Sequence, residues 1–94
     1  MQNLECLNFT VYGRVQGVGF RYFTLQIAQN MRLLGHVSNS ENGTVVGTVA
    51  GKNSNLQKFF EEIRKGPPLS RVDKVLTEPG KLEGLRPFNI KQNF

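Results

Sequence analysis

The sequence predicts an α+β fold of element order β-α-β-β-α-β with an extra C-terminal strand, and three observations carry that expectation. Residues 7–13 alternate, with Leu7, Phe9 and Val11 set against Asn8, Thr10 and Tyr12, which is the period of a half-buried strand. From Phe20 the apolar spacing lengthens to three and four residues, through Phe23, Ile27, Met31 and Leu34, and traces one face of a helix. Asn42-Gly43 then separates two β-rich runs, and both residues tolerate the positive φ of a tight hairpin.

The remaining elements come in chain order. Between the first strand and the helix lies Arg14-Val15-Gln16-Gly17-Val18-Gly19, a loop with two glycines. Gly35 stands where a helix C′ residue is expected. His36–Asn39 and residues 44–50 form the hairpin strands around the Ser40–Gly43 turn. Ser54 and Gln57 make a capping-box pattern ahead of Leu56, Phe59, Phe60 and Ile63, and Gly66-Pro67-Pro68 stops that second helix. Residues 71–78 and 87–92 read as two further strands, with clear alternation at Phe88 and Ile90. This is the split β-α-β arrangement of the ferredoxin-like fold, an antiparallel sheet with two helices on one face. The architecture hosts many activities, so function has to be read from particular side chains.

Length and composition narrow the classes. Ninety-four residues give room for one domain, spanning 1–94, and 38% apolar content with seven Phe suffices for a core. Cys6 is the sole cysteine, which excludes an intrachain disulfide. Together with a start that lacks the features of a signal peptide, it points to a cytoplasmic location. No apolar run approaches the ~20 residues of a membrane span, so no membrane association is expected. Twelve Lys and Arg against seven acidic residues leave a net charge of +5. That charge suits either a nucleic-acid partner or a field that gathers small anions. The basic residues are scattered, with no run of five, so a polybasic tail is disfavoured. A monomer is the default expectation.

Gly13-Arg14-Val15-Gln16-Gly17-Val18-Gly19-Phe20-Arg21 is the most informative segment. A strand feeds a glycine-containing loop that runs straight into a helix N-terminus. Glycines let backbone N–H groups converge on an anion, and the first helical turn adds unpaired N–H groups and the positive end of the dipole. Arg21 would add a planar, permanently charged fork suited to phosphate oxygens. The same residues also fit a plain strand-to-helix turn with a solvated arginine. The spacing matches neither the Walker pattern nor the dinucleotide fingerprint, so a nucleotide site is not indicated.

These residues resemble a known family. Gly13 to Arg21 looks like the acylphosphatase signature over all nine positions, and Gly35-His36-Val37-Ser38-Asn39 followed by Asn42-Gly43-Thr44-Val45 echoes a second family segment. Gly66-Pro67 and Phe88-Asn89-Ile90 also fit, so the resemblance spans roughly Cys6 to Ile90. It implies an enzyme that hydrolyses the carboxyl–phosphate bond of small acyl phosphates without metal or cofactor. Arg21 and the loop amides of Val15, Gln16, Gly17, Val18, Gly19 and Phe20 would bind the phosphate, and Asn39 would hold the attacking water. The chain departs from the family at His36, where an aromatic is common, and at Ser38, where Lys or Arg is common. Those two changes bear on substrate preference and local packing.

The chemistry is compatible with so sparse a site. The leaving group of an acyl phosphate is a carboxylate, a weak base that needs no general acid. Phosphoryl transfer is then mainly positioning and electrostatics. Other groups offer little. Cys6 has no evident base beside it, His36 is the single histidine, and Asp73 is the single aspartate. Without the resemblance, Asn39 reads as ordinary turn chemistry. Three other functions compete. A nucleic-acid module would need exposed sheet aromatics, and residues 44–51 contain none, so no nucleic-acid partner is expected. A binding-only domain of the kind that begins larger hydrogenase-maturation proteins would be followed by long modules, whereas this sequence stops at Phe94. A ferredoxin-like regulator has no specific support.

Overall fold

The computed structural model describes residues 3–91. Along the chain lie β1 (Glu5–Arg14), α1 (Phe20–Asn30), β2 (Leu34–Asn39), β3 (Val45–Gly51), α2 (Asn53–Lys65), β4 (Arg71–Pro79) and β5 (Asn89–Ile90). One sheet takes the order β4-β1-β3-β2-β5. Strands β1 to β4 pair antiparallel, and β5 joins β2 in parallel through His36 with Asn89 and Val37 with Ile90. The predicted element order and the ferredoxin-like fold stand, with the added strand at the β2 edge.

The alternation read from β1 decides the layers. Phe9 and Val11 face Gly47 and Val45 on β3, and Val37 faces Gly47 from the other side. Paired residues share a face, so these positions build one apolar surface. Both helices cover that surface: Phe20, Thr24 and Ala28 of α1 and Leu56, Phe59, Phe60 and Ile63 of α2 are buried against it. Phe9, Phe59 and Phe60 meet edge to face with centroids 5.0–5.8 Å apart, an arrangement that adds about 0.5–1.5 kcal/mol per pair beyond burial. Asn8, Thr10, His36, Ser38, Val46 and Thr48 line the open face instead. No helix among the described residues is long and apolar enough to cross a membrane.

Two helix ends differ from expectation. Helix α1 stops at Asn30, and Arg32 takes the left-handed conformation at C′, φ 55. Arg32 N–H donates to Gln29 O (3.0 Å) and Leu33 N–H to Ala28 O (2.9 Å), the paired bonds of a Schellman stop. Leu34 and Gly35 therefore belong to β2, and Gly35 is required there because a Cβ would fall onto the Thr48 carbonyl oxygen. Helix α2 starts earlier than the Ser54 capping box, with Lys52 as N-cap and no side-chain cap. Asn53 fixes that end by donating to Glu5 Oε2 (2.9 Å) and accepting from Gln57 (2.9 Å). The last strand is shorter than residues 87–92: only Asn89–Ile90 pair as strand, and Gln92 lies outside the described residues.

Candidate active site

The site adjoins an irregularity in the pairing of β1 with β4. Tyr12 pairs with Lys74, but Gly13 pairs with Val72, leaving Asp73 as an extra residue on β4. The extra residue makes β4 the bulged strand, and such a bulge bends it and raises the local twist where it meets Gly13. A Cβ at Gly13 would fall onto the Arg71 carbonyl oxygen, so only glycine allows the close approach of β4. The chain then leaves the sheet with the Val15 side chain buried in the core and turns through Gly17 and Gly19, at φ 74 and 78.

Gly19 is the N-cap of α1, and Phe23 N–H makes the first helical bond, to Gly19 O (3.0 Å). Among the described residues, none of the backbone N–H groups from Val15 to Tyr22 reaches a carbonyl partner. These donors sit at the positive end of α1, where an anion gains both hydrogen bonds and dipole. Phe20 anchors the turn by burying its ring beside Phe23, centroids 5.8 Å apart. Arg21, next in the chain, is left half-buried at the rim.

Asn39 arrives from the opposite direction. It ends β2 opposite Val45, on the helix-bearing face of the sheet. The turn after it is closed by Gly43 N–H to Ser40 O (3.1 Å) and Ser40 N–H to Thr44 O (2.9 Å). Gly43 alone takes positive φ (90), so Asn42 does not share it. Asn42 Oδ1 instead accepts from the Thr44 hydroxyl (2.6 Å) and the Thr44 N–H (3.2 Å), a local Asx closure.

These pieces enclose an open cleft of about 330 Å³, lined by Val15, Gly17, Gly19, Phe20, Arg21, Tyr22, Asn39 and Ile90. Of the sequence-predicted site residues, it brings together Arg21, Asn39, Val15, Gly17, Gly19 and Phe20. Gln16 and Val18 lie in the same loop but do not line the cleft. The Arg21 guanidinium and the Asn39 amide make no hydrogen bond among the described residues, so both are available to a ligand. Nor does any group of three His, Cys, Asp or Glu among the described residues lie close enough to hold a metal. His36 and Ser38 are on the open face, away from the cleft.

The family model described as acylphosphatase matches residues 7–90. The chain belongs to the acylphosphatase family. The acylphosphatase of Thermotoga petrophila is 40% identical over 88 residues, covering 94% of this chain and 98% of the relative. That of Bacillus licheniformis is 46% identical over 81 residues, covering 85% and 90%. The crystal structure of acylphosphatase from Bacillus subtilis superposes with a TM-score of 0.89 at 38% identity, covering 95% of this chain and 99% of that one. Acylphosphatase activity comes with this membership, and the substrates of such enzymes are small acyl phosphates.

In this acylphosphatase three contributors escape a reading of the sequence alone. Tyr22 flanks the cleft with its hydroxyl accepting from Gln26 (2.8 Å), and Ile90 closes the side nearest β5. The alternation with Phe88 is the available signal for Ile90. The third is the side chain of Gln16, which donates to Ser40 O (2.7 Å) and Thr44 O (2.9 Å). Nothing in the sequence separates that role from the expected backbone one.

Proposed function

We propose that this cleft hydrolyses acyl phosphates by in-line attack of a water held on Asn39. The phosphate sits on the Arg21 guanidinium and the N–H groups of Val15, Gln16, Gly17, Val18, Gly19 and Phe20. A new bond forms between the water oxygen and phosphorus as the phosphorus–acyl oxygen bond breaks. The carboxylate leaves with the electron pair and requires no proton. Asn39 can accept from and donate to the water but cannot take its proton, which passes to a phosphate oxygen. The observation that carries this reading is a loop whose N–H groups have no carbonyl partner among the described residues, beside a cleft where the Arg21 and Asn39 side chains make no hydrogen bond among those residues. Charge spread over the phosphoryl oxygens in a loose transition state is what such donors stabilise. No metal is needed in this scheme, and the chain is proposed to act as a monomer.

Hydrolysis of benzoyl phosphate, followed by absorbance in EDTA, tests it with Arg21→Gln. The expected result is turnover that chelation leaves alone and a kcat/KM about 10³-fold lower in the variant, in line with arginine stabilisation of phosphoryl transfer. Folded Arg21→Gln protein with unchanged kcat/KM, or wild-type turnover that chelation abolishes, defeats the proposal.

A further inference from the structure

The Gln16 side chain is not in the cleft, yet it is the most specific polar contact near it. Its amide nitrogen donates to Ser40 O at 2.7 Å and to Thr44 O at 2.9 Å, spanning from the β1–α1 loop to the β2–β3 turn. Both carbonyls already accept a bond within the turn, Ser40 O from Gly43 N–H and Thr44 O from Ser40 N–H. A carbonyl oxygen offers two acceptor sites, so Gln16 fills what the turn leaves over. The contact is partly buried, and Thr44 is only 5% exposed, which shields it from competing water.

The position of this contact matters more than its strength. The loop carrying the phosphate donors comes after β1, and Asn39 ends β2, and these strands are separated in the sheet by β3. Sheet pairing therefore does not by itself fix the loop against Asn39. Ser40, the residue that Gln16 grips, directly succeeds Asn39 in the chain. We infer that Gln16 is a positioning residue: its side chain sets the distance between the phosphate cradle and the water held on Asn39. This rests on the water-holding role proposed for Asn39. The loop would keep its own glycine-determined curvature without Gln16, so the phosphate site survives while the attack geometry is lost. Misplacing reacting groups by about 1 Å can cost on the order of 10²-fold in rate.

Gln16→Met keeps length and loses both donors, and it is compared with Asn39→Ala and the double variant, using benzoyl phosphate turnover and inhibition by inorganic phosphate. Expected is a kcat about 10²-fold lower in Gln16→Met with phosphate inhibition within about threefold of wild type. In the Asn39→Ala background, the same substitution should add less than about threefold, because its effect runs through Asn39. Additive losses, a parallel collapse of phosphate inhibition, or an unchanged kcat overturns the inference. Near-wild-type turnover of Asn39→Ala alone removes the water-holding role itself, a different failure. If Gln16→Met does not fold, Gln16→Asn keeps a neutral amide but is one methylene short of the Ser40 and Thr44 carbonyls, and it carries the same comparison without adding charge beside the phosphate loop.

Discussion

Asn39 faces Val45 across the last paired position of β2 and β3, so a polar amide lies on the same sheet face as a fully buried valine. Its side chain bonds to nothing else among the described residues. A group held that way contributes little to folding and is free for a ligand. Asn39→Ala should therefore lower kcat by about 10²–10³-fold, the usual loss for one positioned donor, while moving stability by less than about 1 kcal/mol. Paired measurements of benzoyl phosphate turnover and thermal midpoint check this. A large drop in midpoint with activity intact would assign Asn39 to turn formation instead.

Gly47 shows the reverse, a residue whose value is structural. It pairs with Phe9 and Val37 on the core face, and a Cβ there would stand 2.5 Å from Phe9 Cζ and collide with the His36 carbonyl oxygen. The Phe9 ring occupies the space that glycine leaves. Gly47→Ala should cost about 1–3 kcal/mol by overpacking, with roughly 4–8 °C of melting temperature for each kcal/mol. Differential scanning calorimetry reads the shift directly.

His36 makes stability depend on pH. Burial, and secondly the nearby Lys91 charge, hold its pKa below the ordinary histidine value. When the folded pKa is the lower one, the unfolded chain takes up the proton first as pH falls. The contribution is thus complete above the unfolded histidine pKa, about 6.5, and is lost as pH drops below it towards the folded value. Urea midpoints at about pH 7.5 and about pH 5 should fall further for wild type than for His36→Gln. Equal falls would show that the imidazole is not the source.

Much of this molecule is legible in its sequence because local pattern and tertiary role coincide. The alternation at Leu7, Phe9 and Val11 is the core face of β1, and the glycine-bearing loop into Phe20 is the loop of the cleft. The misleading positions are those where two patterns overlap. Met31 and Leu34 continue a helical spacing, but the chain turns at Arg32, a non-glycine residue in the left-handed region that no propensity rule selects. Buried Thr24 and Ala28 lie on the core face of α1, while Phe23 and Ile27 pack from its sides. Apolar spacing gives the face of a helix only to within such neighbours. Ser54 does not cap because α2 begins one residue earlier, at Asn53, whose side chain bonds to Glu5, a partner distant in sequence. Gln16 is legible as part of the loop, and its side-chain bonds to Ser40 and Thr44 are not, because they depend on how β1 and β2 are spaced.

β1 is first in the chain and second in the sheet, flanked by strands made much later. One flank pairs Leu7 with Pro79, and the other pairs Glu5 with Gly51. Such partners are brought together against a loop-closure cost that no local contact offsets in advance. During synthesis, the β1–α1 loop emerges with its glycines in place long before β4, the strand whose close approach Gly13 permits. A nascent chain short of Arg71 thus already carries Arg21 and Asn39, but not the strand that packs against β1 at Gly13.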